Sequence, residues 1–442
     1  MIRNKKGKNF DDFYEFKKYK KKRKISRKDK IFKIIPLLFI PILISLTVIS
    51  TYGGTLVKKP LNYIVYALLI LFIIMLLVGL FTGKKKKTNG KKWGIIKIFL
   101  ILYIVGNLSG LILLYGPDKR FKTWLISTAM STMNHQYLCK WFYSKKDIDK
   151  IINSNYVIEV DEETDKDLIK IDAEDDTKYA NEYEKQILKH KKDDKYKIIE
   201  LTVNGQKAYL AAIYDPSLVK VAVTSRLSIS GQYVTKMAAD HKALLAVNGG
   251  GFYDPGYTDA GGKPTGVTLS GGKVITNNNY SNYTQSGGLI GITNDNVLVL
   301  MKNATGQKAL AAGIRDGVSW GPFLIVNGKK SFIKGNGGWG YAARTAIGQR
   351  KDGIILLLVV DSNSSRTKGA DMVDLTEIMD NYGAVNAANL DGGTSSVFVF
   401  PAKEALKYKE ACGDTYCYIN EPIDGRLRHR TRAIATSIIV AE

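Results

Sequence analysis

Three long apolar stretches, each bordered by lysine, fill most of residues 34–115 and constrain this chain more than any other feature. They run from Ile34 to Ser50, from Leu61 to Phe81 and from Trp93 to Tyr115. A helix needs about 20 mostly apolar residues to cross a bilayer, so each stretch reads as a membrane span. The first is the shortest and carries Pro36 and Pro41, with a signal peptide as its alternative. Largely polar residues precede it and no small-residue cleavage pattern follows, so the spanning reading is retained.

Charge supports the same organisation. The formal net charge is +24. Residues 1–150 hold 31 Lys+Arg against 7 Asp+Glu, whereas the remaining 292 residues hold 34 of each. The whole excess is interleaved with apolar segments, which points to a membrane anchor and away from nucleic acid. Lysines also set the orientation. The tail before the first span has 15 Lys+Arg, and the loop Lys84–Lys92 has six lysines. The loop between the first two spans has only Lys58 and Lys59. By the positive-inside rule the N-terminus is cytoplasmic and everything after Tyr115 lies outside the cell.

The expected fold is therefore three N-terminal transmembrane α-helices followed by an α+β, strand-rich mixed-sheet exterior domain. Its parts are a basic cytoplasmic tail (1–33), a three-helix anchor (34–115), a connector with an amphipathic helix and an acidic spacer (116–195) and the exterior domain (196–442). In the last, Asn204-Gly205 joins KIIELTV to QKAYLAAIY as a two-residue hairpin. TGVTLSGGKVI, LIGITNDNVLVLM and AIGQRKDGIILLLVVD are further hairpins, and IILLLVV, apolar throughout, is a central strand. QYVTKMAADHK and ADMVDLTEIMDNYG read as helices. Cys412 and Cys417 enclose four residues and are close enough to pair in an oxidising setting, leaving Cys139 over. The four histidines show no zinc-ligand spacing with these cysteines.

Four polar clusters stand at strand ends. AVNGGGFYD brings Asn248, Gly249, Gly250 and Asp254; ARTAIG brings Arg344; LLLVVDSNSS ends at Asp361. NLDGGTSS brings Asn389, Asp391, Gly392, Gly393 and Thr394. Sheet proteins assemble sites from such ends. No phosphate loop GxxxxGK[ST], Rossmann fingerprint or GxSxG elbow occurs.

In their order, NGGGFYD, RTAIG, the strand-end Asp361, LTEIMDNYGA and NLDGGTSS resemble the phosphodiester glycosidase family, over roughly Ala243 to Val440. The family often has Asp-Gly where this chain has Asp361-Ser362. The resemblance implies a hydrolase that cleaves a sugar from a sugar-1-phosphate diester, and with the topology set by the lysines the expectation is a membrane-anchored extracellular enzyme acting on cell-surface polysaccharide or glycan. The alternative is a non-catalytic glycan-binding or exopolysaccharide assembly protein. A phosphate leaving group gains from a cation, a task suited to Arg344 with Arg432 as helper. Asp391 is the first candidate to activate water or attack the sugar and Asp361 the second. Asn248 and Asn389 would bind sugar hydroxyls or an acetamido group, and Gly249, Gly250, Gly392, Gly393 and Thr394 would let the ligand approach. The sequence identifies no cofactor with certainty, and a divalent cation on one carboxylate stays open. The expected partners are a surface glycan or sugar phosphodiester and the lipid bilayer.

Overall fold

The computed structural model describes residues 27–54, 64–65, 67–68, 70, 90–130, 136–171, 179–254, 261–278, 287–362, 369–424, 427–428 and 431–442. The chain divides into two compact units, one of residues 1–123 and 137–148, the other of 124–136 and 149–442.

The first unit is helical. Helices Arg27–Tyr52 and Gly90–Tyr115 contain the first and third expected spans. They share a hydrogen bond between Ser45 Oγ and Asn107 Oδ1 at 3.2 Å. Among the described residues no single helix is long and apolar enough to cross a membrane. One pair bent by 72°, Ile101–Tyr115 with Lys119–Met130, passes by length and composition together. Most of the second expected span lies outside the described residues. The three-helix anchor is thus not supported by the fold. The break is local: Gly116 and Pro117 follow Tyr115, and proline disfavours a helical residue before it.

The second unit is the strand-rich α+β domain. Its largest sheet has seven strands in the order Lys329–Lys330, Phe323–Val326, Ala384–Asn389, Arg344–Arg350, Ile355–Val360, Gln206–Ile213 and Tyr196–Val203. Each neighbouring pair is antiparallel; three are hairpins with short connections, and the other three join strands far apart in sequence. The Asn204-Gly205 turn has positive φ at both residues (49° and 77°), which matches the right-handed twist of the strands it joins.

A second sheet of five strands, Tyr416–Tyr418, Phe398–Pro401, Leu245–Asn248, Thr436–Val440 and Val219–Val223, packs on one face of the first. Strand Ile355–Val360 feeds both sides by simple alternation. Ile355, Leu357 and Val359 meet Val247, Phe398 and Ile438 of the second sheet. Leu356, Leu358 and Val360 meet Met372, Leu375 and Met379 of helix Met372–Asn381. That helix carries a complete capping box, Asp371 with Asp374. Helix Val234–Asp240 covers the outer face of the second sheet, and a third five-stranded sheet joins the central core through Ile290 and Val318.

The acidic segment departs from a solvated spacer. Strand Tyr156–Ile158 pairs with Phe332–Lys334, and Glu159 follows it with a side chain only 6% exposed. Glu159 Oε1 accepts from Phe323 N at 2.8 Å, and Thr164 exchanges hydrogen bonds with Leu300. Cys412 and Cys417 form a disulfide, and Cys139 is a buried thiol.

Candidate active site

Three of the four polar clusters meet along one edge of the two packed sheets. Strand Leu245–Asn248 ends at Asn248 and strand Ala384–Asn389 ends at Asn389, while strand Arg344–Arg350 begins at Arg344. The two glycine turns are tied together by the main chain, Asp391 N donating to Gly249 O at 3.2 Å. Asn248 reinforces the tie. Its Nδ2 donates to Asp391 O at 2.6 Å, and its Oδ1 accepts from Thr345 Oγ1 at 2.7 Å and Val397 N at 3.2 Å. With 0% exposure this side chain is a strut that sets the position of Asp391 instead of facing a ligand.

Gly249, Gly250 and Gly251 are packed against protein. A Cβ at Gly249 would stand 2.4 Å from Thr436 Oγ1, and one at Gly251 would stand 2.1 Å from the Trp320 ring. Their smallness lets strand ends and an indole lie against bare backbone. The other turn is more open: Gly392, Gly393 and Thr394 are half-buried, and Gly393 has φ +64° with nothing within 4 Å of where its Cβ would be.

Asp391 is partly buried and faces two arginines. Burial pushes its carboxyl above the ordinary range. Hydrogen bonds from Ser395 and Gly392 N, and the charges of Arg432 and Arg344, pull it back down. Arg344 is 5% exposed. Its hydrogen bonds go to main-chain carbonyls, Nε to Ala370 O at 3.3 Å and Nη2 to Trp339 O and Gly340 O. No described carboxylate forms an ion pair with it. Burial lowers its pKa to about 10, against the attraction of Asp371 and Asp391. A Cβ on Gly392 would lie 3.3 Å from Nη1, so this nitrogen borders the Asp391 turn.

Arg432 is held differently. Its Nη2 pairs with the fully buried Asp254, and its guanidinium lies over the Phe252 ring, 4.6 Å from the centroid. Asn389 is 0% exposed; its Nδ2 donates to Gly321 O at 2.7 Å, and its Oδ1 carries no hydrogen bond among the described residues.

Asp361 does not join this group. Arg344 pairs across the strands with Val360, so the next residue along projects from the opposite face. Asp361 accepts there from Asn420 Nδ2 at 2.9 Å and Glu421 N at 3.0 Å, anchoring the segment after Ile419. Burial raises its carboxyl too, and neither Arg344 nor Arg432 is among the charges acting on it. Among the described residues no group of three His, Cys, Asp or Glu is arranged to hold a metal.

Motif reading alone missed two contributors. Trp320 and Trp339 meet edge to face at 5.9 Å, Trp339 supplying a carbonyl to Arg344. Asp254, which sits in a glycine-rich turn motif, turns out to be the partner of a residue 178 positions away.

Residues 241–441 match the family model for phosphodiester glycosidases. The resemblance carried by the motifs therefore holds over those residues. A Bacillus subtilis (strain 168) relative, SPbeta prophage-derived uncharacterized protein YomE, is 24% identical over 187 residues. That match covers 41% of this chain and 27% of the relative, so it spans about a quarter of the curated protein. Among solved structures, the chain is similar to the zebrafish N-acetylglucosamine-1-phosphodiester alpha-N-acetylglucosaminidase catalytic domain auto-inhibited by pro-peptide. The identity is 22% and the TM-score 0.42, covering 57% of this chain and 86% of that one.

Proposed function

We propose that the domain matching the phosphodiester glycosidases hydrolyses a sugar-1-phosphate diester, releasing the sugar from the phosphate. The observation that carries this reading is Arg344. A buried guanidinium whose hydrogen bonds all go to carbonyls has no contact ion pair, only the longer-range attraction of Asp371 and Asp391, and burying a charge without a direct partner is costly. An anionic ligand beside the Asp391 turn would supply that direct partner through short, charge-assisted hydrogen bonds.

The carboxylate arrangement fits the same chemistry. Ordinary glycosidases need two carboxyl groups, one of them to protonate a poor leaving group. A phosphate monoester leaves as a stable anion, so one carboxylate and one cation suffice. Asp391 would take a proton from the attacking water, or attack the anomeric carbon itself, while Arg344 takes up charge on the departing phosphate. Its raised carboxyl matches a general base working nearer neutrality than a free aspartate would. Asn389, like Asn248, is fully buried and braces the strand end beside the site. Gly392, Gly393 and Thr394 leave room for the ring, and Arg432 shares the charge around Asp391.

We infer further that the hydrolase is anchored in the membrane, with this domain outside the cell and cell-surface polysaccharide as its substrate. The lysine distribution of residues 1–92 and the Cys412–Cys417 disulfide, a bond favoured in oxidising compartments, support that reading. Protease added to intact cells should then remove the C-terminal domain and spare an epitope placed before residue 34. Digestion of that epitope would reverse the topology.

The decisive assay uses the full chain in detergent with synthetic methyl phosphodiesters of glucose and N-acetylglucosamine, followed by phosphorus NMR for methyl phosphate and proton NMR for the free sugar. The two should appear in equal amounts, and Asp391→Asn should slow both about 10³-fold. Turnover at the wild-type rate in Asp391→Asn would remove that residue from the mechanism, and no turnover with either sugar would leave a binding protein.

A further inference from the structure

A cavity of about 360 Å³ lies beside strand Tyr416–Tyr418, and none of the catalytic candidates lines it. Its volume lies at the small end of the roughly 300–1,000 Å³ typical of small-ligand sites. Three tyrosines line it, Tyr233, Tyr416 and Tyr418, with Thr235, Lys409 and Asp414. No aliphatic side chain takes part, which argues against a lipid or another purely apolar occupant. Its one cation and one anion balance, in contrast to the two arginines around Asp391, which argues against a phosphate.

The walls are fixed before any ligand arrives. Tyr418 Oη and Thr431 Oγ1 are 2.7 Å apart, and Tyr416 Oη donates to Ala243 O at 2.9 Å. Lys409 Nζ donates to Tyr418 O at 3.0 Å, and the Cys412–Cys417 disulfide braces the turn that carries Asp414. Tyr233, by contrast, is 41% exposed at the rim. Aromatic faces edged by hydroxyl, ammonium and carboxylate groups suit a neutral ring that has apolar C–H faces and hydroxyls at its edge.

We propose that this cavity is a binding site for a neutral hexopyranose unit, separate from the site that cleaves the phosphodiester. Thr431 lines the cavity and the next residue, Arg432, belongs to the catalytic cluster, so the two sites adjoin along the chain. The sugar site does not rest on the phosphodiester glycosidase reading.

The test is saturation-transfer NMR on the full chain in a sugar-free detergent, with methyl α-glucopyranoside as probe. Tyr233→Ala, a change at a rim residue, should weaken binding about fivefold or more. Arg344→Met should leave the probe bound. Reducing the disulfide should also weaken binding, because it frees the Asp414 turn. Binding unchanged in a Tyr233→Ala/Lys409→Met double variant, or lost in Arg344→Met alone, would overturn the proposal. Because the probe has no phosphate, failure here is distinct from failure of the hydrolase assay.

Discussion

Asp391 and Asp361 look alike in several ways: each follows an apolar strand, each lies in the same domain, and burial raises each carboxyl. Their partners separate them. Asp361 has both oxygens occupied, by the Asn420 amide and the Glu421 main-chain N–H, and serves as a bracket between two segments. Asp391 faces two arginines and a half-open glycine turn. A buried, shifted carboxylate marks a functional site only when its surroundings leave it something to do.

The largest effect that could break this comparison is a swap of losses. Asp391→Asn should lower kcat by about 10³-fold, within the range for a lost general base, and leave the domain folded. Asp361→Ala should do the reverse. Removing the bracket leaves Glu421 N and one Asn420 proton without acceptors, at about 2–4 kcal/mol of stability, while kcat per folded molecule stays near wild type. Thermal unfolding and active-site-normalised rates check both halves. A catalytic collapse in Asp361→Ala with unchanged melting would reverse the two roles.

Arg344→Lys comes next. Lysine keeps the charge but loses the planar guanidinium that reaches the Trp339, Gly340 and Ala370 carbonyls through Nε and Nη2 while leaving Nη1 for the phosphate. A fall of about 10²-fold in kcat/KM is expected, against a smaller fall for Arg432→Lys. Equal losses at the two arginines would mean that both hold the phosphate.

How far the sequence reached explains why such tests are needed. Turn chemistry was plain: Asn204-Gly205 and Gly271-Gly272 each mark a two-residue hairpin, and the apolar run IILLLVV is a strand buried on both faces. The strand-end clusters also converge, since antiparallel pairing puts the start of one strand beside the ends of its neighbours. Side-chain direction was not legible. Whether Arg344 and Asp361 face each other depends on a register that pairs Arg344 with Val360, and one residue of slip would reverse the answer. Nor does a motif say whether a polar residue faces a ligand or the protein, and Asn248 faces the protein. The acidic composition of residues 159–176 likewise concealed Glu159, whose carboxyl caps a main-chain N–H under Lys302.

The pH profile sharpens the comparison further. If Asp391 works as a base it must be ionised, so kcat/KM should rise with pH through an acid limb set by its carboxyl. Burial raises that carboxyl, placing the limb above the usual aspartate value near 3.8. Arg344 and Arg432 both pull it down, so neutralising Arg432 as Met should move the limb to higher pH. Asp361→Ala should leave the limb in place, having no charge link to Asp391.

The smallest effect concerns Asp254, which shares Arg432 with Asp391. In the wild type the guanidinium is divided between a direct ion pair to Asp254 and a longer-range pull on Asp391, with the Phe252 ring beneath it. Asp254→Asn keeps the side chain's size and removes the competing charge. With that negative charge gone, the pull of Arg432 on Asp391 is less opposed, its carboxyl becomes easier to ionise, and the acid limb should move to lower pH. This is the opposite direction to Arg432→Met. A pair of shifts with opposite signs is difficult to produce by loosening the fold, which would move both variants the same way. If both limbs moved upward, Asp254 would be a structural brace for the glycine turn and would have no part in setting the charge at Asp391.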